Sequence, residues 1–252
     1  MSKNVIITGT SSGIGFELVK LFSENNNNIL AISRNNKTLR MLDLPGVTSI
    51  DLDLTESEDL SLLDKHLKSF KNVDILINNA GHLVNKSFEE TTLKDFQDVY
   101  STNVFSVAML TKKVIKFMSA SSNVVNISSI GGVQGSVKFS GLSAYSSSKA
   151  ALNILTEMLA EEFKERKIHF NSLALGSVET KMLKKAFPDF KASTTAQEMA
   201  NYIYEFSTAG LNVRIRTFFH FISCASLYAQ KVFPNLILQF HRKCGVLFST
   251  EV

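Results

Sequence analysis

Hydrophobic residues along the chain form short continuous runs, which alternate with longer stretches where they recur every three or four residues. The short runs predict six strands, at residues 5–7, 29–32, 47–52, 73–77, 123–127 and 168–175. The longer stretches predict five helices, at residues 14–24, 56–70, 93–118, 144–166 and 196–206. Runs that are apolar on both faces are typical of parallel strands buried between two layers of helices. The pattern therefore predicts a single α/β domain, a doubly wound parallel sheet with helices on both faces.

The last part of the chain departs from this pattern, and we place the domain, residues 1–210, before it. Arginine makes up 3 of 22 basic residues before position 213 and 3 of 5 after it, and six of the 19 phenylalanines lie there too. We interpret residues 211–252 as a divergent C-terminal segment that packs on the same domain. Two alternatives stay open: a basic, phenylalanine-rich segment that lies on a membrane surface or a partner, and a shifted reading frame that replaced the native end.

Composition narrows the classes of function. Of the 252 residues, 44% are hydrophobic and 20% charged, which supports a buried core and excludes a disordered protein. The formal net charge is +4, but residues 1–212 hold 22 basic and 22 acidic groups, so the excess comes from the tail. Without a dense basic stripe, we expect no nucleic-acid partner. No apolar run reaches 18 residues and no signal peptide begins the chain, so we expect a cytoplasmic protein with no membrane span.

Three glycines stand between the first predicted strand and the first predicted helix, in the stretch Thr-Gly-Thr-Ser-Ser-Gly-Ile-Gly at positions 8–15. Glycine permits a tight turn there and lets a pyrophosphate approach the backbone and the helix N-terminus. The pattern alone is weak evidence, because glycine also simply ends strands. Its position in the first strand–helix unit favours nucleotide binding over a merely structural turn.

Further motifs follow in order: Asn78-Asn79-Ala80-Gly81 after the fourth strand, then Asn103, Ser129, and Tyr145 with Lys149. With the glycine stretch in register, residues 3–208 resemble the short-chain dehydrogenases/reductases. The resemblance implies a Rossmann-like fold, a nicotinamide dinucleotide cofactor and a small-molecule carbonyl or alcohol substrate. By this resemblance, cofactor contacts fall to Gly9, Ser11, Ser12, Gly13, Ile14, Asn79, Ala80, Gly81, Gly176 and Thr180, together with Tyr145 and Lys149.

The end of the second predicted strand bears on the choice of cofactor. A carboxylate there would accept hydrogen bonds from a ribose 2′-hydroxyl and favour NAD. The chain has Ser33 and Arg34 instead, and an arginine can bind a 2′-phosphate through charge-assisted hydrogen bonds. We therefore expect NADP(H) to be preferred, with NAD(H) possible. Asp53 matches the family aspartate at the adenine, although it could also cap a helix that starts near Thr55.

Tyr145 and Lys149 are four residues apart in a predicted helix, so their side chains share one face. A neighbouring lysine cation favours the phenolate, and we expect it to lower the pKa of Tyr145. The resemblance makes Tyr145 the acid/base, Ser129 the donor to the substrate oxygen and Lys149 the residue that holds the nicotinamide ribose. It makes Asn103 the residue that kinks a helix and supports a water leading to Lys149. Ser128 is the rival of Ser129.

Two departures from the family pattern affect the surroundings of the site. The interval from Ser129 to Tyr145 spans 16 residues, longer than the family leads us to expect, and we place the extra residues at 134–140. The usual Pro-Gly after the sixth strand reads Leu175-Gly176, which frees a φ angle. Since His82 has no partner at ligand spacing, we interpret it as a pocket-edge residue and expect no metal site.

These observations predict an NADP(H)-dependent oxidoreductase that interconverts a ketone or aldehyde carbonyl and an alcohol. One alternative is a 3-oxoacyl-thioester reductase of the fatty-acid type, for which Lys181, Lys184 and Lys185 could form a docking patch. The other is a catalytically idle nucleotide-binding module. The resemblance also implies a homodimer or homotetramer, paired through the two long helices. Some of the following residues must face the sheet, and the others could form the seams: Val107, Leu110, Val114, Ala151, Ile154 and Met158.

Overall fold

The structure is a computed structural model that describes residues 2–209. The three interpretations of residues 211–252 lie outside the described residues.

Six parallel strands form the central sheet in the order β3-β2-β1-β4-β5-β6. They are β1 (Asn4–Thr8), β2 (Asn28–Ser33), β3 (Val47–Asp51), β4 (Ile75–Asn78), β5 (Asn123–Ser129) and β6 (His169–Leu175). All six coincide with predicted strands to within a few residues. Two further strands, β7 (Val178–Glu179) and β8 (Thr194–Thr195), pair with each other beyond the end of the sheet and were not predicted.

The helices connect consecutive strands and cover both faces of the sheet. They are α1 (Gly13–Glu24), α2 (Lys37–Arg40), α3 (Ser57–Phe70), α4 (Leu93–Tyr100), α5 (Ser106–Val114), α6 (Ser143–Glu162), α7 (Lys181–Ala186) and α8 (Ala196–Thr208). Among residues 2–209, none of them has the length and apolar character needed to cross a bilayer.

Two buried clusters, one on each face of the sheet, form the core. Alternate residues of β1 divide between them: Val5 and Ile7 pack with α1 and α8, whereas Ile6 packs with α3 and α5. This alternation follows from the two-residue period of a strand, whose side chains point to opposite faces. The doubly wound α/β fold predicted from the sequence is confirmed.

The predicted helix at residues 93–118 is interrupted. A π-helical turn, Ser101–Phe105, separates α4 from α5, and a 3₁₀ turn, Ile115–Phe117, ends the segment. The buried Asn103 lies inside the π-helical turn. π-turns widen a helix locally and occur often at functional sites.

Candidate active site

A cavity of about 960 Å³ opens at the carboxyl ends of the central strands. β1 lies between β2 and β4 in the sheet, so the connections that leave β1 and β4 run in opposite directions at this edge. Ligands of open α/β sheets bind in the crevice outside such a switch point. The cavity is large enough for a dinucleotide together with part of a substrate.

The loop after β1 is packed tightly against the loop after β4. Gly9 has a φ of +72°, and a Cβ there would stand 2.8 Å from the Cα of Ala80. The side-chain amide of Asn79 donates to the carbonyls of Thr8 and Gly9, at 3.0 and 3.2 Å. In return, the Thr8 hydroxyl accepts from the backbone of Ala80 at 2.9 Å. Only a residue without a side chain fits at position 9, so the backbone is free to lie close to a ligand.

The first turn of α1 faces the same cavity. Ser11, Ser12, Gly13 and Ile14 line it, and Gly13 has a φ of +62°. The first N–H groups of a helix have no partners within the helix and carry its positive dipole end, so they suit a pyrophosphate. Across the cavity, Thr180 comes close enough that a Cβ on Gly13 would lie 3.3 Å from its methyl group. The residues present therefore fit a dinucleotide.

At the adenosine end, Ser33, Arg34 and Asp53 all line the cavity. Arg34 is exposed, and within residues 2–209 its guanidinium forms no ion pair. The Asp53 carboxylate accepts from the backbone and hydroxyl of Thr55, at 3.0 and 2.7 Å. Asp53 does not cap α3, which begins at Ser57 with Glu56 at its N-cap.

Ser129 and Tyr145 meet on the floor of the cavity. Both side chains line the cavity, the Ser129 hydroxyl lowers the pKa of the nearby phenol, and the backbone N–H of Gly131 donates to the Ser129 hydroxyl at 3.2 Å. Ser128 points elsewhere, since its buried hydroxyl donates to the carbonyl of Lys149 at 3.2 Å. The geometry therefore favours Ser129 over Ser128 as the serine that a substrate can reach.

Lys149 lies beside Tyr145, with its ammonium 5.7 Å from the centre of the phenol ring. The ammonium is buried and donates to the carbonyl of Ile127 at 2.7 Å. Burial lowers the pKa of Lys149 to about 8. Burial also raises the pKa of Tyr145 to about 12, against a smaller lowering by the hydrogen bond with Ser129. The lowering of the Tyr145 pKa that the sequence led us to expect is therefore wrong for this arrangement, because removal from water is the largest effect on the phenol.

Asn103 ties the π-helical turn to the floor of the site. Its Oδ1 accepts from the backbone of His82 at 2.8 Å, and its Nδ2 donates to the carbonyl of His82 and to the hydroxyl of Ser148, each at 2.9 Å. The Ser148 hydroxyl in turn donates to the carbonyl of Tyr145 at 2.7 Å. Asn103 therefore fixes α6 at the level of Tyr145. His82 lines the cavity edge, and burial lowers its pKa.

The end of the cavity beyond Tyr145 is mostly apolar. Its lining here includes Leu83, Phe139, Leu142, Met182, Leu183, Phe187 and Phe190. Phe139 belongs to the predicted insertion at 134–140 and is half exposed. The Asn85 amide donates to the carbonyl of Ala186 at 2.7 Å, so the loop after β4 holds the end of α7. Such walls suit a hydrophobic substrate.

Comparison with known proteins agrees with this geometry. The sequence profile described as short chain dehydrogenase matches residues 3–191. The chain belongs to this family. It is 33% identical over 205 residues to the 3-oxoacyl-acyl-carrier-protein reductase FabG of Chlamydia pneumoniae, covering 76% of this chain and 80% of that protein. It is 31% identical over 173 residues to carbonyl reductase (NADPH) 2 of Sus scrofa, covering 67% and 68%.

Solved structures of short-chain dehydrogenases superpose on this chain. The structure described as ElxO with NADP bound has a TM-score of 0.78 at 28% identity and covers 90% of this chain and all of that one. The structure of 4-hydroxyisoleucine dehydrogenase with NADH has the same TM-score of 0.78 at 24% identity, covering 88% and 97%. This dehydrogenase is therefore a Rossmann-fold oxidoreductase that uses a nicotinamide dinucleotide.

The structure brings the predicted site residues of this dehydrogenase to one cavity. Of the predicted set, only Asn103 does not line the cavity wall. Its side chain instead donates to the carbonyl of His82 and to the hydroxyl of Ser148, behind that wall. Sequence reasoning missed Thr8, whose hydroxyl joins the loops after β1 and β4, and Asn85. The threonine before the first glycine offered a signal. Asn85 offered none, because its partner is 101 residues away.

Proposed function

We propose that this dehydrogenase reduces a ketone or aldehyde carbonyl to an alcohol with NADPH, and that Tyr145 is the acid. One observation carries the proposal. The hydroxyls of Ser129 and Tyr145 line the cavity beside the buried Lys149, and the glycine loop lines the same cavity. A proton donor, an oxygen-binding hydroxyl and a dinucleotide cradle are the groups that carbonyl reduction needs.

Each residue has a separate role. Ser129 donates to the substrate oxygen, and Tyr145 gives that oxygen its proton as negative charge develops there. Lys149 holds the nicotinamide ribose, and its cation stabilises the phenolate left on Tyr145. The bound nicotinamide supplies the hydride to the carbonyl carbon. A pKa near 12 keeps Tyr145 protonated at neutral pH, which suits reduction better than oxidation.

The preference for NADPH over NADH rests on Ser33 and Arg34. The Arg34 guanidinium lines the cavity and forms no ion pair with another described residue, so it is available to a 2′-phosphate. Two relatives carry NADPH or NADP in their names, the Sus scrofa carbonyl reductase and the ElxO structure. Use of NADH stays open, since the 4-hydroxyisoleucine dehydrogenase structure holds it.

A 3-oxoacyl thioester is the second candidate substrate. Lys181 and Lys185 are exposed at the apolar end of the cavity, and neither forms an ion pair among the described residues, whereas Lys184 pairs with Glu179 at 2.8 Å. Cations at the mouth of an apolar channel suit an acyl chain on an anionic carrier. The similarity to FabG of Chlamydia pneumoniae supports the same substrate.

Substitution of Tyr145→Phe tests the proposal. It removes only the hydroxyl, and we expect NADPH oxidation with a carbonyl substrate to slow by about 100-fold or more, the range of a positioned acid. Tyr202→Phe makes the same change in α8, away from the cavity, and should retain the wild-type rate. Equal turnover by the Tyr145→Phe variant and the wild-type protein would contradict the role of Tyr145. Absence of turnover in both, with NADPH still bound, would support the idle nucleotide-binding module instead.

Assembly as a homodimer or homotetramer and a cytoplasmic location stay predictions. The exposed apolar residues on α5 and α6 support the prediction of an oligomer.

A further inference from the structure

A carboxylate stands at the cofactor end of the sheet, on the strand next to the one considered in the sequence. β2 and β3 are parallel and in register, and Ser33 pairs with Asp51. Both strands therefore end at the adenosine side of the cavity, which Ser33 lines. Asp51 thus lies near the position where a carboxylate favours NAD over NADP.

The charge of this carboxylate is balanced by an arginine. Nη1 of Arg40 donates to Oδ1 of Asp51 at 2.9 Å, and Nη2 donates to Oδ2 at 2.7 Å. The backbone N–H of Asn36 adds a third bond to Oδ1 at 2.8 Å. Arg40 first, and then this N–H, lower the pKa of Asp51. The bidentate pair fixes the orientation of the carboxylate as well as its charge.

The pair is joined to the loop that carries Arg34. Asn36 directly follows the cavity-lining Asn35, and its buried side chain donates to the carbonyl of Ile50 at 2.7 Å. The same side chain accepts from the hydroxyl of Thr10, in the glycine loop, at 2.7 Å. Asn36 therefore links the Asp51 carboxylate to the loop that carries Arg34, although Asp51 itself does not line the cavity.

We propose that Arg40 determines cofactor specificity through Asp51: it cancels a carboxylate charge, on the strand beside Ser33, that would otherwise repel a 2′-phosphate. Arg40 does not line the cavity, so it acts as a positioning residue and not by binding the cofactor. The inference rests on the proposed preference for NADPH.

The test compares the full-length wild-type protein with the Arg40→Met variant, which keeps a long side chain and removes the charge and the donors. KM and kcat are measured with NADPH and with NADH at low ionic strength. We expect KM for NADPH to rise roughly tenfold, the scale of one charge interaction at a partly exposed site. KM for NADH should stay the same or fall, and kcat should change little. High salt should shrink the effect, since the groups are accessible to solvent.

Two further variants keep the result interpretable. Asp51→Asn in the Arg40→Met background removes the uncovered carboxylate and should restore much of the NADPH affinity, which a purely structural role of the pair does not predict. Lys113→Met is the matched control, because it breaks another ion pair between separate elements, with Asp64 at 2.9 Å, outside the cavity lining. It should leave both KM values at the wild-type level.

Each outcome bears on one proposal. If the wild-type protein itself prefers NADH, the proposed NADPH preference fails. If the wild type prefers NADPH and Arg40→Met leaves the ratio of the two KM values unchanged, the role of Arg40 is overturned. If Arg40→Met does not fold, Asp51→Asn alone decides: with Arg40 left unpaired, it should strengthen the preference for NADPH, and a weakened or unchanged preference contradicts the inference.

Discussion

Tyr145 and Lys149 are both driven toward their neutral forms. Burial raises the pKa of the phenol to about 12 and lowers the pKa of the ammonium to about 8. At neutral pH the phenol holds its proton and most of the lysine is still charged. In this state Tyr145 can act as an acid while Lys149 stabilises the phenolate that remains, so reduction has both groups in the form it needs.

This pair of values predicts how reduction depends on pH. As pH rises through about 8, Lys149 loses its proton and its charge no longer favours the phenolate, while Tyr145 remains protonated. We expect kcat/KM for carbonyl reduction, which reports the groups of the enzyme before substrate binds, to be constant below this pH and to fall above it. Initial rates with NADPH from pH 6 to 10 measure the profile. A rate that stays level up to pH 10 would show that the charge of Lys149 does not control the step.

The sequence predicts single site residues where their spacing is local. Tyr145 and Lys149 share a helix face because they are four residues apart, and the structure places them together. The family resemblance favours Ser129 over the adjacent Ser128, and the structure agrees, because the Ser128 hydroxyl donates to the carbonyl of Lys149. The pair of Arg40 with Asp51 joins a short helix to a strand and follows no periodic pattern, so it could not be predicted from the sequence.

A helix or strand can be predicted from the sequence when its apolar pattern is long enough to show a period. Each of the six central strands contains enough apolar residues to be predicted, and β3, Val-Thr-Ser-Ile-Asp, is the least apolar of them. β7 and β8 have two residues each, too few for any period to appear. The π-helical turn, Ser101–Phe105, escaped because apolar residues continue through it at nearly helical spacing; only the resemblance pointed to a kink at Asn103.

Packing between elements leads to a prediction at Gly132. The 3₁₀ turn Ile130–Gly132 follows Ser129 and lies directly on α6: a Cβ on Gly132 would stand 2.7 Å from the backbone of Lys149 and Ala150. Gly132→Ala should push the turn and α6 apart, which separates Ser129 from Tyr145. We expect a loss of about 1–3 kcal/mol in the free energy of unfolding, together with a lower kcat. Thermal unfolding and NADPH oxidation measure the two effects.

Gly46→Ala is the matched control for this prediction. Gly46 has a φ of +73°, and a Cβ there would meet the carbonyl oxygen of Asn27 at 2.5 Å, so alanine is strained there as well. Position 46 lies before β3 and outside the cavity lining. The control should lose stability and keep kcat. A Gly132→Ala protein that is destabilised but fully active would show that the contact serves folding alone.

The apolar residues on α5 and α6 divide into a buried set and an exposed set. Val107, Leu110 and Val114 are buried in the domain, and Leu110 and Val114 belong to the core cluster beneath α3 and α5, so of the residues expected at the seams these three face inward. Ile154 and Met158 keep the predicted orientation, with 58% and 62% of their surface exposed. Phe105 and Met109 are also exposed. The π-helical turn that holds Phe105 contacts α6, the helix of Ile154 and Met158.

These four exposed residues predict an oligomer. Exposed apolar residues on helical segments that contact each other, here called the apolar patch, are typical of a surface that another subunit covers. We expect light scattering to give a multiple of the 27.9 kDa chain mass. Replacing Ile154 and Met158 together by glutamate places two like charges per subunit in the patch, so the variant should dissociate toward the monomer mass. Met41→Glu changes another exposed apolar residue, on the loop after α2, and should leave the mass unaltered. A wild-type protein that runs as a monomer at every concentration would contradict the prediction, as would a double variant of unchanged mass, because the patch would then not be the surface that joins the subunits.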